Sequence, residues 1–421
     1  MISRVTHQTI QRSTLANLQQ WHNPILYEGL VRFRSSFSPP GQPIVGDNTD
    51  PWGMTWTKCT NLAIDLLATM VAEERGLIPE LQAREHMARV LGTLAALPTY
   101  QGIFPENIVI KGGVGPEIVA GKTRYSSIDS AWVTLVLSLV EAHYRATAPA
   151  LAQAAQALLA PQDYRVFLSK DGLLGAGFYV DVATHQKAET IAFSYNDRNS
   201  EARPLLLALV GMNQLPASAW DNTIYDWTDR DGLIFAKSWH YSAFVEMTGA
   251  LFFDEVALAP LTLGRSHQSY IRASKRVAEQ SGHQFWGYAP ACDAANAYAE
   301  FGLDRPDAVS PYAAALLTLT NDQEALSNFH RVLQVLPRNG DPLPDGIDPR
   351  SGQVSCGVAR LLDQGLMFLA LNADVVRSLV LKTSWYPDAA NRLAAMDQSF
   401  HAPVPVVEAQ SAPESPPKAT D

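Results

Sequence analysis

Most of this chain repeats its apolar residues every three or four positions, the spacing of a helix with a packed side. The segments are Asn61–Arg75, Pro79–Leu97, Ile128–Ala146, Pro149–Leu159, Pro204–Met212, Ser242–Leu258, Gly264–Ser281, Ser310–Leu319, Asp322–Leu336 and Cys356–Leu371. Gly76 and Pro79 read as a stop and a start, and Asn321 or Asp322 as the cap of the helix that carries Glu324. No strand–helix–strand alternation accompanies them, so a parallel α/β sheet is not expected and the fold class reads as all-α. One stretch, Tyr164–Val182, alternates around a Lys-Asp-Gly turn and predicts a small β-hairpin. No Pro/Gly-rich linker interrupts the chain before about Ala402. We therefore expect one domain over residues 1–400 and a disordered Pro/Ser/Ala-rich tail over 401–421.

Long loops join the helices: Phe37–Thr57, Thr99–Ser127, Val182–Arg203, Trp220–Tyr241 and Gln284–Ser310. Loops of this length in a compact helical domain are usually functional or disordered. In these, aromatic residues stand beside carboxylates. Trp56 lies near Asp47 and Asp50, Tyr195 precedes Asp197 and Glu201, Trp239 and Tyr241 precede Glu246, and Trp286 and Tyr288 precede Asp293. A sugar ring stacks its C–H faces on aromatic rings and bonds its hydroxyls to carboxylates, amides and guanidiniums. Cleaving a glycosidic bond needs a proton donor and a base or nucleophile, which the same mixture supplies.

The formal net charge of -10, with no basic run, argues against nucleic acid and against an anionic membrane surface. No apolar run reaches the roughly 18–20 residues of a membrane span. The N-terminal stretch has no apolar h-region, so the cytoplasm is the default expectation, with periplasm or export left open. Three cysteines without paired spacing and ten scattered histidines call for no disulfide framework and no metal. Phosphate-loop, zinc-helix and nucleophile-elbow motifs are absent, and no cofactor is expected.

The densest cluster is "YNDRNSEARPL", Tyr195–Leu205. Local sequence gives Glu201 a plain role: Ser200 can cap a helix and Glu201 then sits in its first turn, where the dipole favours an acid. Glu201 and Arg203 are too close in sequence to face each other on a helix.

Several stretches, in order, resemble the glycoamylase-like domain family, which includes the C-terminal region of cyclic β-1,2-glucan synthases and is related to the endo-β-1,2-glucanases. "TKCTNLAIDLLATMVAEERGLI" (Thr57–Ile78) looks like the family's Thr-x-x-Thr-Asn helix, and "LAALPTYQGIF" (Leu94–Phe104) like its Tyr/Phe-x-Gly-x-Phe end. "YSSIDSAWVTL" (Tyr125–Leu135) resembles Ser-Ser-Val-Asp-Ser, and "YNDRNSEARPL" resembles Tyr-Asp-x-x-x-Ser-Glu-Ala-Arg, with Asp197 one place late. "KSWHYSAFVEM", "QFWGYAPACDAANAYAEFG", "VSPYAAALLTLTNDQEALSNFHRV" and "LLDQGLMFLALN" are similar to its Ser-Trp, Pro-Trp-Gly, Ala-Pro-Tyr and Asp-Gln-Gly segments. The resemblance spans roughly residues 50–390. It implies an (α/α)6 toroid whose long loops form a cup, acting on a β-glucan or oligoglucoside, with β-1,2 favoured.

Carried over residue by residue, the resemblance makes Glu201 the general acid. Asp293, Asp129 or Glu246, in that order, are candidates for the base. Trp56, Trp239, Trp286 and Tyr288 would stack sugar rings, with Tyr195 beside them. Asn61, Asp197, Arg203 and Asp363 would bind hydroxyls or hold the acid, and His240 would narrow the cup. Two departures bear on mechanism. The transglycosylating relatives have a Glu four residues after the Trp of Trp-Gly, where this chain has Pro290. The Glu after Ser-Trp-x-x-x-x-Phe is displaced by one, to Glu246, which turns a helical side chain by about 100°. An inverting hydrolase is therefore expected. A non-catalytic glucan-binding or scaffold protein on the same fold is the alternative, and a helical interaction protein without a sugar ligand is a third.

Overall fold

The computed structural model describes residues 15–37, 44–50, 53–293, 295, 297–337, 341–354 and 358–399. In chain order the helices are α1 (Leu15–Phe37), α2 (Cys59–Glu74), α3 (Glu80–Ala96), α4 (Ser127–Tyr144), α5 (Pro149–Leu159), α6 (Arg203–Gly211), α7 (Ser218–Asp221), α8 (Ala243–Phe252), α9 (Glu255–Leu258), α10 (Arg265–Ser281), α11 (Pro311–Leu316), α12 (Gln323–Val335), α13 (Leu361–Leu371), α14 (Ala373–Leu381) and α15 (Tyr386–Gln398).

Six of these close a ring. Helices α2, α4, α6, α8, α11 and α13 each pack on the next, and α13 returns to α2. Outside it, α3 lies on α2, α5 on α4, α10 on α8, α12 on α11 and α1 on α13. Beside α6 lie the four-residue α7 and α15, both packed on α6. The two layers differ in pattern for a physical reason. An inner helix has neighbours on every side, so α2 buries every residue from Cys59 to Ala72. An outer helix has one dry side, so α3 buries only Ala83, Met87, Val90, Leu91 and Leu94, at helical spacing. Each large apolar side chain fully withdrawn from water is worth about 1.5–3 kcal/mol, and the ring holds many. This is the all-α toroid expected from the sequence. Among the described residues no single helix is long and apolar enough to cross a membrane.

Short strands brace the loops. They are β1 (Trp56–Lys58), β2 (Asn107–Val109), β3 (Gly115–Pro116), β4 (Lys122–Ser126), β5 (Leu174–Gly175), β6 (Gly177–Asp181), β7 (Lys187–Thr190), β8 (Ser194–Tyr195), β9 (Trp227–Arg230), β10 (Leu233–Ala236), β11 (Ala291–Cys292) and β12 (Tyr298–Ala299). All pair antiparallel, in the orders β1-β2-β3, β4-β6-β7, β5-β8, β9-β10 and β11-β12. The strands β1 and β4 run directly into α2 and α4, so they fix where those helices start, while seven residues separate β8 from α6.

Several local expectations need correction. Tyr164–Val182 is not one hairpin: only an isolated Leu168–Leu174 bridge spans the Lys-Asp-Gly turn, while β5 pairs with β8 and β6 with β4 and β7. The run Ser242–Leu258 breaks after Phe252, where the Asp254 carboxylate accepts the Ala257 N–H and starts α9 afresh. Ser200 does not cap α6; the residue before that helix is Ala202, without a side-chain cap. The helix that carries Asp363 begins at Leu361, and Cys356 lies outside the described residues. So does the expected tail, 401–421. Gly76 does take a left-handed φ of 67° at the end of α2, and Asp322 does cap α12.

Candidate functional site

Side chains at the N-terminal ends of the inner helices meet one another, and these ends carry most of the motif residues. Helix N-termini are the positive ends of the backbone dipole, a setting that favours acids. Asp129, in the first turn of α4, accepts the Thr60 hydroxyl of α2 at 2.7 Å. The Lys58 ammonium, at the end of β1, stands 3.8 Å from Asp129 and 3.2 Å from Glu106. Arg124 pairs with the other Glu106 oxygen at 2.8 Å. Asp129 above all, and Glu106 with it, hold the Lys58 ammonium charged. Burial, then the nearby Asp129 charge, pushes the Glu106 carboxyl above the usual range.

Glu201 lies in the turn just before α6, half-buried. Tyr195 of β8 donates its hydroxyl to Glu201 Oε1 at 3.1 Å. Burial, and after it the Asp129 charge, pushes the Glu201 carboxyl up to about 6, while the Tyr195 bond and Lys58 oppose the shift and Glu300 adds to it. A carboxyl in this range is still protonated at mildly acidic pH, where an ordinary one is ionised, and can release that proton to a leaving oxygen. Among the three candidate bases, Asp129 is the one whose charge acts on Glu201.

The rim is built differently. Trp239 is 59% exposed and donates its indole N–H to Glu300 at 2.8 Å. His240 stands 3.4 Å from the same carboxylate. The single turn Trp239–Tyr241 puts His240 and Tyr241 at φ of 48° and 49°, a strained region for residues with a Cβ. Gly302 makes room for that turn, since a Cβ there would run into the His240 carbonyl. Arg360 lies 4.2 Å from the exposed Tyr298 ring, 3.1 Å from Asp345 and 3.6 Å from Asp47. Asp363 is buried beside Asp345; burial, then the Asp345 charge, pushes its carboxyl well above the usual range. Asn61 is buried too, its amide donating to Asp47 at 2.9 Å and Thr57 at 3.1 Å. Trp56, half-buried on β1, opposes Val109 of β2.

Other expected members are elsewhere. Glu246 is fully buried, its carboxylate accepting from Asn199, Ser266 and His267, so it has no free oxygen for a base and faces no cup. Arg203 is equally buried and pairs with Glu255 at 2.8 Å, so it touches no substrate. Trp286 and Tyr288 belong to the apolar core, at 3% and 0% exposure, with no face left for a sugar. Asp293 holds a turn, its Oδ1 accepting the Ala295 and Ala297 N–H groups at 2.8 and 3.0 Å. Asp197 bridges to Ile224 and feels Lys237 and Asp226 rather than the acid. Lys58, Glu106, Glu300 and Asp345 were missed. Glu106 carried a signal: it is a single acid inside the apolar stretch "GIFPENIVI", where an ion must find partners.

The sequence matches no protein-family model and no curated protein. Solved structures are similar in shape. An endo-β-1,2-glucanase from Talaromyces funiculosus, a glutamate-to-glutamine mutant in complex with β-1,2-glucan, superposes with a TM-score of 0.73 at 14% identity, over 95% of this chain and 94% of that one. The endo-β-1,2-glucanase from Chitinophaga pinensis, with sophorotriose and glucose, gives 0.71 at 13%, over 88% and 97%. A Bacteroides caccae protein provisionally named a glucoamylase gives 0.72 at 13%, over 88% and 97%. The chain shares their fold.

Proposed function

We propose that this chain is a glycoside hydrolase that cleaves a β-1,2-linked glucan or oligoglucoside, with Glu201 as general acid. The observation that carries the reading is the Glu201 carboxyl. It is half-buried at an inner-helix start, pushed up to about 6, beside Tyr195 and under the influence of Asp129. Exposed Trp239, fixed by Glu300, gives the same end of the ring a stacking face. What the similar glucanases are named for acting on supports the linkage. Kinship with the C-terminal region of the cyclic β-1,2-glucan synthases rests on the motif order in the sequence alone.

The chemistry follows from the inventory. Glu201 donates its proton to the glycosidic oxygen as that bond breaks. Asp129, the acid that acts on Glu201, takes the proton of the attacking water in an inverting displacement, which calls for acid and base carboxyls about 6.5–9.5 Å apart. Pro290 provides no nucleophile at the position used by transglycosylating relatives, which favours hydrolysis. Incubation with β-1,2-, β-1,3- and α-linked glucans, read as reducing ends released, tests the proposal. Turnover on β-1,2-glucan is expected, with a loss of about 10²–10⁴-fold in Glu201→Gln and retained binding. Binding without turnover on any glucan supports the second reading, a glucan-binding protein, which Pro290 motivates.

A further inference from the structure

The residues two places before and two places after Glu201 turn away from it, into a dry charged cluster. Asn199 and Arg203 start it; Glu246 of α8, Glu255 of α9 and Ser266 and His267 of α10 complete it, and each is buried. Arg203 donates to Glu255 through Nε at 2.8 Å and Nη2 at 3.1 Å, to the Glu246 carbonyl at 2.8 Å and to the Asn199 side-chain oxygen. Asn199 passes its amide on to Glu246 Oε2 at 2.7 Å. His267 stands between the acids, Nδ1 2.9 Å from Glu246 Oε1 and Nε2 2.9 Å from Glu255 Oε2.

An ionised carboxylate only accepts, so a ring with carboxylate oxygens on both nitrogens must donate from both. His267 is then an imidazolium. The charges agree: Arg203 and His267 balance Glu246 and Glu255, whereas a neutral His267 would leave an uncompensated buried negative charge, which is costly. Burial pulls the imidazolium pKa down and the two carboxylates more than offset it, so the net shift is upward. Tyr225 and Tyr270, beside the cluster, stay neutral because burial pushes both hydroxyls well up.

We infer that His267 is a permanent imidazolium that clamps α8, α9 and α10 to the Asn199–Arg203 turn and thereby positions Glu201. This inference rests on the functional reading above for the role of Glu201, but not for the charge state. His267 is a positioning residue: it acts through Glu246 and Glu255, which hold Asn199 and Arg203, and touches no substrate.

Two arms test it. In the full chain labelled with 15N-histidine, ring-nitrogen shifts are followed from pH 5 to pH 8.5, roughly two units above the ordinary histidine value. One of the ten histidines is expected to keep both nitrogens protonated throughout. If every histidine loses a ring proton by pH 8.5, the imidazolium assignment is overturned. In the second arm, His267→Gln is expected to lower kcat on β-1,2-glucan by about tenfold to hundredfold, as a displaced catalytic group does, with KM within about threefold. Adding Glu246→Gln restores charge balance and should recover most of kcat. A folded single variant with unchanged kcat, a folded double variant without recovery, or failure of both to fold would each remove the positioning role. Absence of turnover in the unaltered chain defeats the functional reading instead, and leaves the nitrogen shifts to decide the charge state.

Discussion

Glu201 and Arg203 are two residues apart, and their surroundings differ in one respect that decides their roles. Arg203 sits among partners that cancel its charge and satisfy its donors, all of it out of water. Glu201 has one hydroxyl, a net excess of nearby acids and a side that reaches solvent. The balanced cluster leaves nothing for chemistry to use. The unbalanced acid is held at a cost that a proton transfer can recover. A charged residue in a motif is therefore assigned by whether its partners complete it.

The comparison breaks first on the balanced side. Removing one partner of a buried ion pair strands the other, which costs about 3–5 kcal/mol. Glu255→Gln is expected to fall in that range by denaturant unfolding. Gly249→Ala should also destabilise, because its Cβ would run into Glu255 and Arg203, so the pair must separate. Unfolding midpoints unchanged in both variants would mean that the cluster is not the anchor described.

On the unbalanced side the sign reverses. The folded Glu201 carboxyl, at about 6, lies above its ordinary 4.5. Ionising it in the fold therefore costs about 2 kcal/mol, at about 1.4 kcal/mol per pKa unit. The cost is absent below pH 4.5, grows as pH rises through 6 and stays constant above. Glu201→Gln should be more stable than the unaltered chain at pH 7–8 by about that amount and no more stable at pH 4. Equal melting temperatures at pH 7.5 would sink the idea that Glu201 is held under strain.

The ring was legible because inner and outer helices both repeat apolar residues at helical spacing, and Pro149–Leu159 is a helix with those very ends. The helices α1, α14 and α15, and the four-residue α7, were not read. In α1, Pro24 interrupts the pattern; α14 is only nine residues, and α15 lies just after it. At the site, motif order singled out Glu201, Tyr195, Asp129 and Trp239, which sit at the inner-helix starts. It misassigned Arg203, Glu246, Trp286 and Tyr288 because burial depends on which helix a side chain meets. Arg203 and Glu246 are 43 residues apart along the chain and are joined only through the ring. Asp293 was read as a base, but an Asx turn uses the same residue type and cannot be told apart in sequence.

A rim side chain should move binding and leave stability alone. Trp239→Ala removes an exposed indole, and loss of one stacking face is worth about 1 kcal/mol, roughly fivefold in KM for β-1,2-glucan. The unfolding midpoint should not move. A KM that stays constant would take Trp239 out of the substrate path.

The smallest expected effect separates the two sides most finely. Tyr195 donates to Glu201 at 3.1 Å, and that bond favours the ionised carboxyl. Burial keeps the Tyr195 hydroxyl protonated, so it remains a donor throughout the working range. Tyr195→Phe removes about 1 kcal/mol of support for the anion and should raise the Glu201 pKa by roughly 0.7 unit. As the proposed general acid, Glu201 must be protonated to act, so the alkaline limb of the pH–rate profile should move up by that fraction of a unit. The Arg203 cluster shares no bond with Tyr195, so the histidine ring-nitrogen shifts should stay where they were. A limb that moves down would mean that the titrating group is not Glu201, and a shift in both readouts would mean that the acid and the cluster are one coupled unit rather than two.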